Sequence, residues 1–178
     1  MTLTREATYT DIPAIARVHV DTWRNTYSGI IPDQVLTDLS YEKRENAWQN
    51  VFDQAADSNG FTYVSENETG QIIGFMDGGR ERTGNQLFQG EINAIYILSS
   101  YQHQGIGRDL VRLATERLRQ MDMLSMLVWV LEDNPACQFY EALGGQMIQS
   151  KSIEMRGSAL IERAYGWADT SFLLNPSA

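Results

Sequence analysis

The stretch from Glu91 to Leu118 constrains this chain more than any other. Glu91-Ile92-Asn93-Ala94-Ile95-Tyr96-Ile97-Leu98 reads as an apolar strand, and Ser99-Ser100-Tyr101 as a polar turn. Gln102-His103-Gln104-Gly105-Ile106-Gly107 follows, and Ile106, Leu110, Leu113, Ala114 and Leu118 then recur on one helical face. Two glycines therefore stand where a strand hands over to a helix. Backbone amides point outward there, the helix dipole favours an anion, and residues without side chains let it approach. The stretch thus reads as a phosphate-binding turn, and three such turns compete. The P-loop requires Gly-Lys-Ser/Thr, whereas Arg108-Asp109 follow Gly107. The dinucleotide fingerprint requires a third glycine where Leu110 stands, although Glu132 ends the next strand where a ribose-binding acid could sit. The third pattern, Gln/Arg-x-x-Gly-x-Gly/Ala, is met in full by residues 102–107.

The rest of the chain narrows the class. Its 178 residues suit one domain spanning 1–178 with a sizeable core. The N-terminus lacks the apolar core of a signal peptide, and no apolar run reaches the length of a membrane span. A single cysteine, Cys137, rules out an intrachain disulfide, so the expected compartment is cytoplasmic. A formal net charge of −9 leaves no basic surplus for nucleic acid. It is compatible with a cationic substrate, but an acidic balance mostly serves solubility.

In order, Thr8 to Thr26 opens with a helix, Asp11 as N-cap and Pro13 in the first turn. A short helix from Pro32 to Leu39 and a longer one from Tyr41 to Ala56 follow. Phe61 to Ser65 and Gln71 to Asp77 read as a strand hairpin, and Gly78 to Gly90 as a loop. After the central strand and helix comes Met126 to Leu131, short enough for a buried strand. Asn134-Pro135 begins a helix that stops at Gly144-Gly145, and the tail alternates strand-like segments around Gly157, ending with Leu160 to Trp167. The order predicts an α/β chain with a mixed sheet.

Asn134-Pro135-Ala136-Cys137-Gln138-Phe139-Tyr140-Glu141-Ala142-Leu143-Gly144-Gly145 supplies a second motif about 30 residues beyond the first. Together the two resemble the GNAT superfamily of N-acetyltransferases, whose pattern here is Asn-x-x-Ala-x-x-Phe-Tyr-x-x-Leu-Gly-Phe. Ala136 stands one residue early, and Gly145 replaces the usual aromatic. The resemblance implies an α+β fold with a mostly antiparallel central sheet flanked by helices and splayed at the acyl-CoA site. It implies transfer of acetyl from acetyl-CoA to a primary amine by direct attack in a ternary complex. Acyl-CoA would run along Ile95, Tyr96 and Ile97, with its pyrophosphate on amides of His103, Gln104, Gly105, Ile106, Gly107 and Arg108. Asn134 resembles the family's Asn that approaches the cofactor arm, and Tyr140 its general acid. Glu91 lies eleven residues before Gln102, as the catalytic glutamate does in the histone-acetylating branch. Many members carry Arg or Lys early in the loop; here only Arg108 brings a fixed charge, so binding would lean on backbone dipoles.

Each residue also has a plainer reading. A strand-opening glutamate is usually solvated, and a free amine and a carboxylate differ by about six pKa units, roughly 8 kcal/mol against direct proton transfer. Glu91 would therefore act from a desolvated site or through water. Helix tyrosines commonly pack, and Tyr140 could be one. Trp23 reads as core, and Tyr27, four residues on, as a substrate contact implied by the resemblance. His19 reads as a packed residue, His103 as loop, and Cys137 as inert; the scattered histidines and cysteine form no metal constellation. Two other functions stay open: an acyl-CoA-binding module without transferase activity, and a Rossmann-type dinucleotide binder. The acceptor, small molecule or peptide, is unnamed by the sequence, and a homodimer is left open.

Overall fold

The computed structural model describes residues 2–174. Among them seven strands form one sheet in the order β1-β2-β3-β4-β5-β7-β6. The strands are β1 Leu3–Glu6, β2 Phe61–Glu66, β3 Ile72–Arg80, β4 Gly90–Ile97, β5 Met126–Leu131, β6 Gln146–Met155 and β7 Ser158–Trp167. The helices are α1 Ile12–Thr26, α2 Asp33–Thr37, α3 Tyr41–Ser58, α4 Ile106–Gln120 and α5 Ala136–Ala142. Every strand pair is antiparallel except β4–β5. The mixed α+β sheet is therefore present, and one parallel pair does not make the parallel sheet that dinucleotide binding needs. Glu132, the candidate ribose acid, is instead ion-paired with Arg163.

Period-two alternation sends the apolar residues to two cores. On one face, Ile106, Leu110, Ala114 and Leu118 of α4 pack against Met76, Ile92, Met126, Val128 and Val130. On the other, Ile15 and Ala16 of α1 and Trp48 of α3 pack against Val64 and Phe75. Each of the Val, Leu, Ile, Phe and Met side chains among them contributes about 1.5–3 kcal/mol on burial. In β5, Val128 and Val130 face α4, so Trp129 is turned to the opposite side.

The feature that shapes the site is the short β4–β5 contact. The two strands pair only at Gly90↔Met126, Glu91↔Leu127 and Ile92↔Val128. The next residue, Asn93, is bulged: the β3–β4 register steps from Asp77↔Ala94 to Gly78↔Ile92. A bulge bends its strand and adds twist, which turns β4 away from β5. Buried Asp77 fixes the bulge, accepting from Asn93 Nδ2 at 2.8 Å and from Thr62 Oγ1 at 2.9 Å. Beyond this point the sheet opens into a wedge-shaped gap.

Three local expectations change. Strand β1 went unseen because it is an exposed edge without apolar alternation, held by Arg5 to Glu66 and Asp11. Asp11 stands before α1 but does not cap it; its carboxylate turns back to the Thr8 N–H at 2.7 Å and to Arg5. Strand β3 runs through Gly78-Gly79 to Arg80, so the expected loop shrinks. Those glycines admit close neighbours: a Cβ on Gly78 would meet the Glu91 carbonyl at 2.9 Å.

Candidate functional site

The wedge lies between the β4 backbone and an aromatic-lined cavity, with the start of α4 at its lip. Helix α4 begins at Ile106 on an N-cap, Gly105, that has no side chain to cap it. The first bond that closes the turn is Asp109 N–H to Gly105 C=O at 3.1 Å. The N–H groups of the first turn, Ile106, Gly107 and Arg108, thus have no acceptor within the helix. Gly105 sits at φ +88°, and a Cβ there would meet nothing within 4 Å, so the space in front of these amides is open. His103 also takes positive φ, 60°. This is a cradle an anion can enter. Gly107 also serves packing: a Cβ there would stand 3.0 Å from the Phe139 ring, so its absence lets α4 meet α5.

The β4 wall shows why only some of its backbone is available. Leu98 N–H bonds Ile73 C=O at 2.9 Å, and Tyr96 is opposite Phe75. By the alternation of an antiparallel ladder, Tyr96 turns its polar backbone to β3, while Ile95 and Ile97 turn theirs to the gap. Gln102 Nε2 donates to the Ile97 carbonyl at 3.0 Å. Of the three strand residues expected to meet a ligand arm, Ile95 and Ile97 can do so by backbone. Tyr96 instead lends its ring to the far side.

That far side is a cavity of about 300 Å³ lined by Trp23, Tyr27, Tyr96, Trp129 and Glu91, among others. Burial raises the pKa of Tyr27, Tyr96 and Tyr140, so all three phenols stay protonated donors. The Tyr27 hydroxyl accepts from Asn134 Nδ2 at 3.0 Å, and Asn134 Oδ1 accepts from the Ala136 N–H at 2.9 Å. Asn134 thus caps α5 and ties it to the α1 side, which occupies its amide within the chain. Tyr140 of α5 does not line this cavity: its ring packs against Phe139, Tyr165 and Trp167 in the core on the α4 side, with its phenol near those of Tyr96 and Tyr27.

Glu91 is only 3% exposed and opens the β4 side of the cavity. Arg82 grips it three ways: its backbone N–H at 3.1 Å and Nε at 3.2 Å reach Oε2, and a terminal nitrogen reaches Oε1 at 2.9 Å. Opposite, Lys151 Nζ pairs with Glu162 at 3.2 Å and stands 3.9 Å from the Trp129 ring centre. Arg82, Trp129, Lys151 and Glu162 carry no motif in the sequence. Trp129 lies in a run read as buried strand, and the others fell in a loop and a tail without a motif. Trp23, expected as core, also lines the cavity. His19 and Cys137 are packed as expected: His19 accepts from Trp48 Nε1 at 3.2 Å, and burial pushes the Cys137 thiol up.

Comparisons agree with this geometry. Residues 20–145 match the Acetyltransferase (GNAT) family. N-acetyltransferase YuaI of Bacillus subtilis (strain 168), itself uncharacterized, is 39% identical over 173 residues, 97% of this chain and 96% of its own length. PaiA N-acetyltransferase from Thermoplasma acidophilum, solved in complex with coenzyme A, superposes with TM-score 0.69 at 19% identity, covering 92% of this chain and 98% of its own. YncA from Salmonella typhimurium, solved with its cofactor acetyl-CoA, gives TM-score 0.72 at 19% identity, covering 100% of this chain and 96% of its own.

Proposed function

We propose, because this chain belongs to the GNAT acetyltransferase family, that it transfers acetyl from acetyl-CoA to a primary amine by direct attack in a ternary complex. One observation carries the reading. A gap between β4 and β5 runs from an uncapped helix N-terminus on one side to a polar aromatic cavity on the other. Such a gap can hold an extended thioester with its phosphate at the lip and its acyl end facing an acceptor.

Fit can be judged from the chain alone. The open space before Gly105 and the first-turn amides suit a pyrophosphate, and the gap-facing backbone of Ile95 and Ile97 suits an amide-bearing arm. Acetyl-CoA would supply an activated acyl group and a thiol leaving group. Glu91 would draw the proton from the acceptor, directly or through water, with Arg82 fixing its carboxylate. Tyr140 would donate a hydrogen bond to the departing sulfur. Burial raises its pKa, so donation without full transfer is the role it can fill.

Incubating the protein with acetyl-CoA and a panel of amines, and reading out free thiol, tests the function. Thiol release that depends on an amine is the expected result. Tight acetyl-CoA binding with no release for any amine would assign a binding module.

A further inference from the structure

Two carboxylates line the cavity, and each already holds a cation of this chain, but not alike. Glu91 is gripped by three donors of Arg82. Glu162 holds one ammonium, that of Lys151. Lys151 and Glu162 are directly opposed in the β6–β7 ladder. The lysine nevertheless reaches across β7 and rests its charge on the face of Trp129 in β5. An aromatic face beside a carboxylate is the environment an ammonium needs when it leaves water. Its occupant is poorly anchored, since Lys151 springs from an edge strand and its side chain is 41% exposed. A ligand ammonium replacing it would exchange one cation for another and leave no charge unpaired.

We propose that the Trp129 face and the Glu162 carboxylate form a cation subsite within the acceptor cavity. Lys151 is its resident occupant, and the acceptor is an amine with a second cationic group that displaces it. This rests on the transferase reading above. The nitrogen that attacks a thioester must offer a free electron pair and is neutral when it does so. A subsite that reads positive charge therefore holds a different nitrogen of the same molecule. In the transfer the N–C bond forms as the C–S bond breaks, one proton leaves the attacking nitrogen, and the thiol carries one away. The second nitrogen keeps its charge throughout. A cavity of about 300 Å³ suits a small diamine. The net charge of −9 favours its arrival.

Calorimetry on the CoA-bound protein with 1,4-diaminobutane and n-butylamine tests the subsite without requiring turnover. The diamine should bind about tenfold more tightly. Trp129→Leu and Glu162→Gln should each erase the difference. Lys151→Met, which keeps the apolar stem and removes the competing charge, should tighten the diamine. Equal affinities in the wild type, or a diamine preference that survives both Trp129→Leu and Glu162→Gln, would overturn the proposal. If circular dichroism shows Trp129→Leu misfolded, Glu162→Gln alone decides. A diamine preference without thiol release from any amine would sink the transferase reading and uphold the subsite. Thiol release from both amines at equal kcat/KM would do the reverse.

Discussion

Tyr140 is held by ring packing alone: no hydrogen bond among the described residues engages its hydroxyl. Tyr140→Phe should therefore fold with unchanged stability and bind acetyl-CoA normally, yet transfer acetyl on the order of 10²-fold more slowly in kcat. A wild-type kcat on an active acceptor would return Tyr140 to packing. Glu91→Gln should likewise lower kcat, by about tenfold or more, with acetyl-CoA affinity preserved in a titration. Activity equal to wild type would make the Arg82–Glu91 pair structural. His19 makes a prediction about stability. Its Nδ1 accepts from Trp48, its Nε2 is buried without a partner, and burial lowers its pKa from 6.5 to about 3. Below pH 6.5 the unfolded chain takes up a proton that the folded ring refuses, so stability falls with pH from 6.5 down to about 3. Asp11, lowered from 3.8 to about 2, acts with the same sign but only at lower pH. Between pH 7 and pH 5, His19→Gln should lose less Tm than wild type; equal losses would show that His19 does not set the slope.

The handover from β4 to α4 was legible because two signals coincide there, an apolar run of strand length and a helical stripe, with glycines between. What the glycines do was only half legible. Gly105 could be read from its motif. The role of Gly107 depends on Phe139, which lies 32 residues further along the chain and meets it only once α5 packs. The two positions should answer differently to substitution. Gly105→Val places a β-branched residue at φ +88° with its side chain in the anion's space. It should cost about 1–2 kcal/mol of stability and abolish CoA binding by calorimetry. Retained binding would move the phosphate elsewhere. Gly107→Ala points its methyl at an aromatic ring 3.0 Å away, and should cost about 1 kcal/mol by urea denaturation. Strand β1 and the extension of β3 were illegible for a related reason. An edge strand of polar residues is specified by Arg5 reaching Glu66, a partner 61 residues away, while also holding nearby Asp11.

At the scale of the whole molecule, the order of elements was enough to give an α+β chain, since each helix and most strands carry their own periodicity. The cavity was not, because it is assembled from five separate parts of the chain: α1 with the turn after it, the loop after β3, β4, β5 and the β6–β7 hairpin. Their polar residues carry no mutual spacing that a linear reading could detect. What joins the two halves of the sheet is a ladder of three residue pairs. That brevity has a consequence in time as well as in shape. Amides that lack a strand partner trade their hydrogens with solvent as fast as local access allows, whereas laddered ones wait for the strands to part. In heavy water, Ile95 and Ile97 should therefore take up deuterium well before Tyr96, their neighbour turned to β3. Adding coenzyme A should slow those two and leave Tyr96 as it was, so that the label records, one residue on and one residue off, which way the strand faces.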